Sequence, residues 1–278
     1  MSVASATSSA RPQGAVSARA IRRIVLEQSK RANVGHIGSA LSVADVIAAL
    51  YDRVLNVPGP THPDRDRFIL SKGHAALALY AALALRGWLT TDQLDTYCGD
   101  GSHLGVHPEH VVPGVDFAIG SLGHGLSYGA GAALAARLQG TQRRAFVLIS
   151  DGECNEGSVW EAAMFAAHHR LSSLIAIIDL NGQQAFGYTD EVLSLSPMAG
   201  RWRAFGWDVV EVDGHDVAGL ARTIAGLDTT SGPPHMLVAR TVFGKGVSFM
   251  ESQIKWHYSP MSDGEYRQAL DEIDAEER

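Results

Sequence analysis

Asp151 and Asn181 stand thirty residues apart, each at the end of an apolar run. The first run is Arg144 to Ser150, followed by Asp151-Gly152-Glu153; the second is Leu174 to Leu180, followed by Asn181. A carboxylate and an amide oxygen are hard ligands of the kind Mg²⁺ or Ca²⁺ takes, and such ions commonly share them with a diphosphate. Taken alone, Asp151 reads equally well as a cap for the helix that follows it. The setting favours a ligand site. Apolar strand, glycine turn, helix from about Gly157 to Arg170 and second apolar strand make a βαβ unit. Both oxygen-bearing residues then fall at the carboxyl ends of parallel strands, where open α/β sheets bind their ligands.

Other elements must position this pair. Ser17 to Ala32 places Ile21, Val25 and Leu26 at helical spacing, and a second helix is predicted over Val43 to Leu55, stopped by Pro58-Gly59-Pro60. Arg67 to Leu70 reads as a short strand, and Ser71-Lys72-Gly73-His74 leads into an Ala/Leu-rich helix ending at Leu85. A Gly-, His- and Pro-rich loop runs from Cys98 to Pro113. Gly120 to Gly125 opens a helix of small residues reaching Leu138, whose glycines and alanines permit close backbone approach to a sheet or a partner. Downstream come a helix around Met198–Phe205, strand Trp207–Val212, the turn Asp213-Gly214-His215-Asp216, helix Val217–Leu227, strand Met236–Thr241, a loop to His257 and an acidic helix from Asp263. The pattern predicts one α/β domain over 17–278, a parallel sheet flanked by helices, behind a disordered tail of residues 1–16.

Composition narrows the class. With 46% hydrophobic and 19% charged residues the chain has a globular balance, and its net charge of −7 argues against nucleic acid or an anionic membrane as the main partner. No apolar run reaches membrane-spanning length and the N-terminal stretch lacks the apolar core of a secretory signal. Two cysteines, Cys98 and Cys154, are too few for a disulfide framework, so a reducing cytoplasm fits.

These residues resemble the thiamine-diphosphate motif of the transketolase family, which begins Gly-Asp-Gly and ends near an Asn about thirty residues later. Ser150 to Gly157 with Trp160-Glu161-Ala162 match its first half, and Leu174 to Asn181 its second. Val34-Gly35-His36, Ser71 to His74, His107-Pro108-Glu109, Gly120 to Gly125 and Trp256-His257 follow in family order across roughly residues 17–260.

The resemblance implies a thiamine-diphosphate-binding fold. It implies that Asp151, Asn181 and the backbone carbonyl of Gln183 bind Mg²⁺ or Ca²⁺, that the Gly152 N–H donates to the diphosphate, and that Asn181 also touches the cofactor. It places His36, His107 and His257 against substrate as catalytic groups able to move protons near neutral pH. His74 falls on the diphosphate side, Gly120 and Leu122 beside the rings of the cofactor, and Glu156 near a subunit interface. Each histidine alone reads as a loop residue with satisfied hydrogen bonds, and Gly120 with Leu122 alone as a packed helix entry. Lys72 and Lys245 read as diphosphate screens or as solvated lysines; Glu153, Cys154 and the Asp213 to Asp216 turn read as structural.

In similar enzymes a second, pyrimidine-binding domain carries the glutamate that activates the cofactor. The sequence shows no second βαβ series after His257. The expectation is therefore the N-terminal subunit of a split transketolase, active with a C-terminal pyrimidine-domain subunit in an α2β2 assembly. It would transfer a two-carbon ketol unit between small sugar or sugar-phosphate substrates. Acyloin formation or keto-acid decarboxylation, a cofactor-holding subunit without chemistry, and a metal-dependent phosphohydrolase are the competing readings. Four positions depart from the family pattern: Ser150 for Gly, Ala185-Phe186-Gly187 for apolar-Asp-Gly, Tyr258 for Gly, and Phe243 where lysine can occur. The last three point towards a specialised ketol transfer rather than the ordinary pentose phosphates.

Overall fold

A computed structural model describes residues 16–275. Five parallel strands form the central sheet: β1 (Arg67–Leu70), β2 (Ala145–Ser150), β3 (Leu174–Leu180), β6 (Asp208–Asp213) and β7 (His235–Arg240), in the order β1-β2-β3-β7-β6. A two-stranded hairpin, β4 (Gln183–Gln184) with β5 (Gly187–Tyr188), follows β3. Helices are α1 (Ala18–Ala32), α2 (Ile37–Ser42), α3 (Ala44–Ala49), α4 (Ala76–Leu85), α5 (Thr91–Leu94), α6 (Gly125–Leu138), α7 (Gly157–His168), α8 (Thr189–Leu193), α9 (Met198–Ala204), α10 (Val217–Ala225) and α11 (Asp263–Ala275).

Strands β2 and β3 are almost continuously apolar because helices cover both faces of the sheet, as parallel sheets require. One face carries α1, α3, α4, α10 and α11, through residues such as Leu26, Leu148, Ile177 and Leu237; the other carries α6, α7 and α9, through Leu126, Val147, Ile178 and Trp202. Handedness sets the split. The crossover from β2 to β3 advances across the sheet with α7 on one face, whereas β6 to β7 runs backwards, so a right-handed connection throws α10 onto the opposite face. The chain likewise leaves β1 for α4 on one face and β2 for α7 on the other. The carboxyl ends of β1, β2 and β3 therefore border a crevice.

The predicted elements recur with ends shifted by a residue or two. The helix expected from Val43 to Leu55 is α3 continued by a wide turn over Leu50–Val54. Helices α2, α5 and α8 and the β4–β5 hairpin are additions, all too short to announce themselves by periodicity. The tail expected over 1–16 lies outside the described residues except for Val16, which is packed in the core.

Close approach of α6 to the sheet accounts for its small residues. A Cβ on Gly129 would fall 2.3 Å from a Val147 methyl carbon. Gly129→Val should therefore cost about 1–3 kcal/mol through overpacking, measured by urea unfolding, while Gly131→Ala, with open space beside it, should be neutral or slightly stabilising.

Candidate active site

The carboxyl ends of the central strands rest on one buried ion pair. Lys72, just past β1, extends its ammonium to Asp179 in β3; neither side chain reaches solvent. Asp179 also accepts from the hydroxyls of Ser42 (2.8 Å) and Thr241 and from the Asn181 amide Nδ2 (2.8 Å). Lys72 is thus neither solvated nor an exposed charge screen. Lys245, the other lysine of interest, pairs with Glu251 at 3.3 Å and does not border the cavity. Asp179 escapes a reading of motifs, although an acid inside an otherwise apolar strand is itself a signal: its burial demands a partner.

Bonding to Asp179 fixes which way the Asn181 amide faces. Its nitrogen is held by the carboxylate, so its oxygen is turned away, where it accepts the Gln183 N–H at 2.9 Å. Asp151, only 2% exposed, accepts from Gly182 N–H at 2.7 Å on one oxygen and from Gly152 N–H at 2.8 Å on the other. The Gly152 N–H, expected to face a diphosphate, is directed here at the Asp151 carboxylate. Burial, then the nearby Asp179 charge, raises the Asp151 carboxyl to about 7. Asp151, Glu153 and Asp179 are three buried carboxylates around one buried ammonium, an arrangement short of positive charge. Among the described residues no cluster of three or more His, Cys, Asp or Glu could hold a metal unaided. Asp151 Oδ2 and Asn181 Oδ1 each accept from an N–H of the 181–183 turn, and oxygens of this kind could serve Mg²⁺ or Ca²⁺ only with others beside them.

Glu153 ties the small-residue loop to the strands. It accepts from Ser71 Oγ and from the N–H groups of Gly123 (2.7 Å) and Ser150 (3.2 Å), while Ser71 Oγ accepts from Gly125 N–H at 3.0 Å. This sets Leu122 at the cavity wall. Gly120 does not border the cavity but backs onto the His107 ring, where a Cβ would lie 3.7 Å away.

The histidines come from four separate segments. His36 sits at the start of α2 with φ of 60°, its ring 5.5 Å from that of His74. His74 Nε2 is 2.8 Å from Ser39 Oγ. The His107 backbone is pinned by the Tyr80 hydroxyl at 3.0 Å, and His257 stacks on Phe243 at 4.3 Å. Burial lowers the His36 imidazole, with His107 adding to it. Burial followed by the Lys72 charge holds His74 well below the usual range and brings His257 to about 4. These three rings are therefore neutral at pH 7, each with one donor and one acceptor nitrogen.

One cavity of about 570 Å³ gathers His36, His74, His107, Leu122, Gly152, Glu156, Asn181, Gln183 and His257. Asp151 lies on the far side of the Asn181 turn, bordering a neighbouring cleft. Phe186 and Val192 contribute apolar surface to the same wall. Several polar atoms lining the cavity are buried without a hydrogen-bond partner in the protein: His36 Nδ1, His257 Nδ1, Asn155 Oδ1, and both side-chain amide atoms of Gln183. Buried unpaired donors and acceptors are costly, so a bound polar group fits this space.

A parallel sheet with a cavity at its carboxyl ends, lined by four histidines and the Asn181 turn, has the arrangement of a ligand-binding α/β domain. The chain belongs to the transketolase family: residues 14–276 match the model of the transketolase thiamine diphosphate binding domain. It is 42% identical to one subunit of the apulose-4-phosphate transketolase of Phocaeicola vulgatus, over 91% of this chain and 90% of that one. It is 40% identical to the 6-deoxy-6-sulfo-D-fructose transketolase subunit SqwG of a Clostridium species, over 93% and 95%. The fold superposes on the Campylobacter jejuni transketolase with a TM-score of 0.87 at 28% identity, covering 94% of this chain and 42% of that one. The chain thus spans about two fifths of the length of that solved transketolase, but nearly all of the two subunits.

Two outcomes follow from the electrostatics. Lys72→Met strands Asp179 without its cation and should lower stability by about 3–5 kcal/mol, read from urea unfolding. His257, whose folded pKa of about 4 lies below its ordinary 6.5, favours the fold fully above pH 6.5. That contribution, on the order of 3 kcal/mol, is lost as pH falls from 6.5 towards 4. His257→Asn should accordingly flatten the stability–pH curve in that window.

Proposed function

We propose that this chain holds the diphosphate side of thiamine diphosphate and, with a pyrimidine-domain subunit, transfers a two-carbon ketol unit from a ketose to an aldehyde. The carrying observation is the convergence of His36, His74, His107 and His257 with the Asn181 turn on one cavity at the strand ends. Thiamine diphosphate, when bound, supplies the electron sink that lets a C–C bond beside a carbonyl break and re-form. Asp151 and Asn181, with the Gln183 carbonyl, are the residues to hold Mg²⁺ or Ca²⁺ beside the diphosphate, and His74, which shares its cavity with Asn181 and Gln183, is the histidine to meet the diphosphate.

Imidazoles at His36, His107 and His257, the first and last held neutral by burial, suit both halves of a ketol transfer. A ring N–H donates to a carbonyl oxygen as negative charge gathers there, and an unprotonated ring nitrogen accepts the hydroxyl proton of the sugar. Glu156 and Leu122 complete the cavity wall, with Gly120 supporting His107. The near-full-length relatives are named as subunits, which supports a two-chain enzyme; an α2β2 assembly would be its two-fold symmetric form. Their names carry apulose 4-phosphate and 6-deoxy-6-sulfo-D-fructose. Ketoses bearing an anionic end group are therefore the first donors to test. Two free cysteines, and the lack of any helix among the described residues long and apolar enough to cross a membrane, fit a cytoplasmic enzyme.

The chain mixed with its partner subunit, thiamine diphosphate and Mg²⁺ should transfer ketol units from such donors to short aldehydes. Substituting His36, His107 or His257 by Gln should lower kcat/KM by about 10²–10⁴-fold, and Asp151→Ala should abolish dependence on added Mg²⁺ together with activity. Turnover unaffected by all three histidine changes would instead mark a scaffold subunit. CO₂ released from a keto acid in place of ketol transfer would mark a decarboxylating enzyme.

A further inference from the structure

His257 owes its position to a cluster that never touches the cavity. Its ring lies parallel to that of Phe243, 4.3 Å away with 10° between the planes. Phe243 is fully buried, and its ring also packs against the backbone of α2: a Cβ on Gly38 would fall 2.1 Å from it. The phenyl ring is thus packed against both Gly38 and His257, and any shift of its backbone is passed to the imidazole.

That backbone is gripped at both ends. On one side of Phe243, the Val242 N–H donates to His215 Nε2 at 2.9 Å. On the other, Arg22 Nε donates to the Lys245 carbonyl at 3.0 Å. Both gripping side chains meet at one buried carboxylate. Asp45 accepts from His215 Nδ1 at 2.7 Å and pairs with the Arg22 guanidinium. Since Nε2 accepts a backbone N–H it carries no proton, so the single ring proton sits on Nδ1 and points at Asp45. Burial pushes the Asp45 carboxyl up, but His215 and Arg22 outweigh it and hold it below its ordinary value. Two further bonds close the frame, Gly244 N–H to the Gly38 carbonyl at 3.0 Å and Ser252 N–H to the Phe243 carbonyl at 2.9 Å.

We infer that Asp45, acting through Arg22 and His215, clamps the 242–245 turn and so positions His257 in the cavity by way of the Phe243 ring. The three residues come from α1, α3 and the turn between β6 and α10, and none borders the cavity. They are positioning residues, and their relevance to turnover rests on the role proposed above for His257. The 213–216 turn, which reads as a plain connection, holds the histidine that joins the carboxylate to the turn.

The test reads the ring stack directly in the full-length chain. Imidazole-labelled protein gives ¹H–¹³C resonances for each histidine, with His257 assigned from His257→Asn and the unstacked reference taken from Phe243→Leu. Stacking on Phe243 places the His257 ring protons upfield. His215→Leu and Asp45→Asn should move them most of the way to the Phe243→Leu position while His74 stays unchanged. His215→Gln, whose amide can accept from Val242 and donate to Asp45, should restore the stacked position. With the partner subunit, His215→Leu should lower kcat about ten- to hundredfold, and His215→Gln should recover most of it. An unmoved His257 signal in Asp45→Asn would overturn the inference, as would equal displacement of His257 and His74. Should His215→Leu fail to fold, Asp45→Asn and His215→Gln decide the matter. The resonance shift does not depend on turnover, so absence of ketol transfer would remove the proposed activity without touching the clamp.

Discussion

Lys72, just past the carboxyl end of β1, reaches Asp179 in β3 without solvent, and the ordering of the cavity follows from that pair. A buried carboxylate is tolerated only when its charge and all its lone pairs are used. Asp179 uses them on Lys72, Ser42, Thr241 and Asn181, which come from the end of β1, from α2, from the end of β7 and from its own turn. Three segments distant in sequence are thereby fixed to one atom group. The Asn181 amide emerges oriented, and α2, which leads from His36, is held against the sheet.

Electrostatics gives the site its second property. Among the described residues Lys72 is the one buried ammonium near Asp151, Glu153 and Asp179, and it also lies close enough to depress His74 and His257. Carboxylate burial calls for more positive charge, while the same apolar walls keep the imidazoles neutral. The neutral rings keep both a donor and an acceptor nitrogen. Opposite charge requirements thus lie close together, with Asp151 and the histidines on different sides of the Asn181 turn.

Much of this is legible in the linear sequence. The βαβ unit around Asp151 and Asn181 announces itself through two apolar runs flanking a helix, and the ordered histidine segments mark the family. Three things are not. Helix α2 spans six residues, Ile37–Ser42, too few to show a period, and it persists because all six are buried. Asp179 is hidden as one acid in an apolar strand, and Lys72 looks like any surface lysine until the fold brings the two together. His215 reads as a turn residue because its partners, Asp45 and Val242, are 170 and 27 residues away.

The sequence by itself determined the strand and helix periods, the membership of the family and the identity of the chemical groups, since these depend on residue type and local spacing. Only the tertiary structure decided which groups share a cavity, which lysine is buried, which way the Asn181 oxygen faces and what holds His257 in place. Those depend on the order of strands in the sheet and on desolvation, and both are properties of long-range packing that no local pattern encodes.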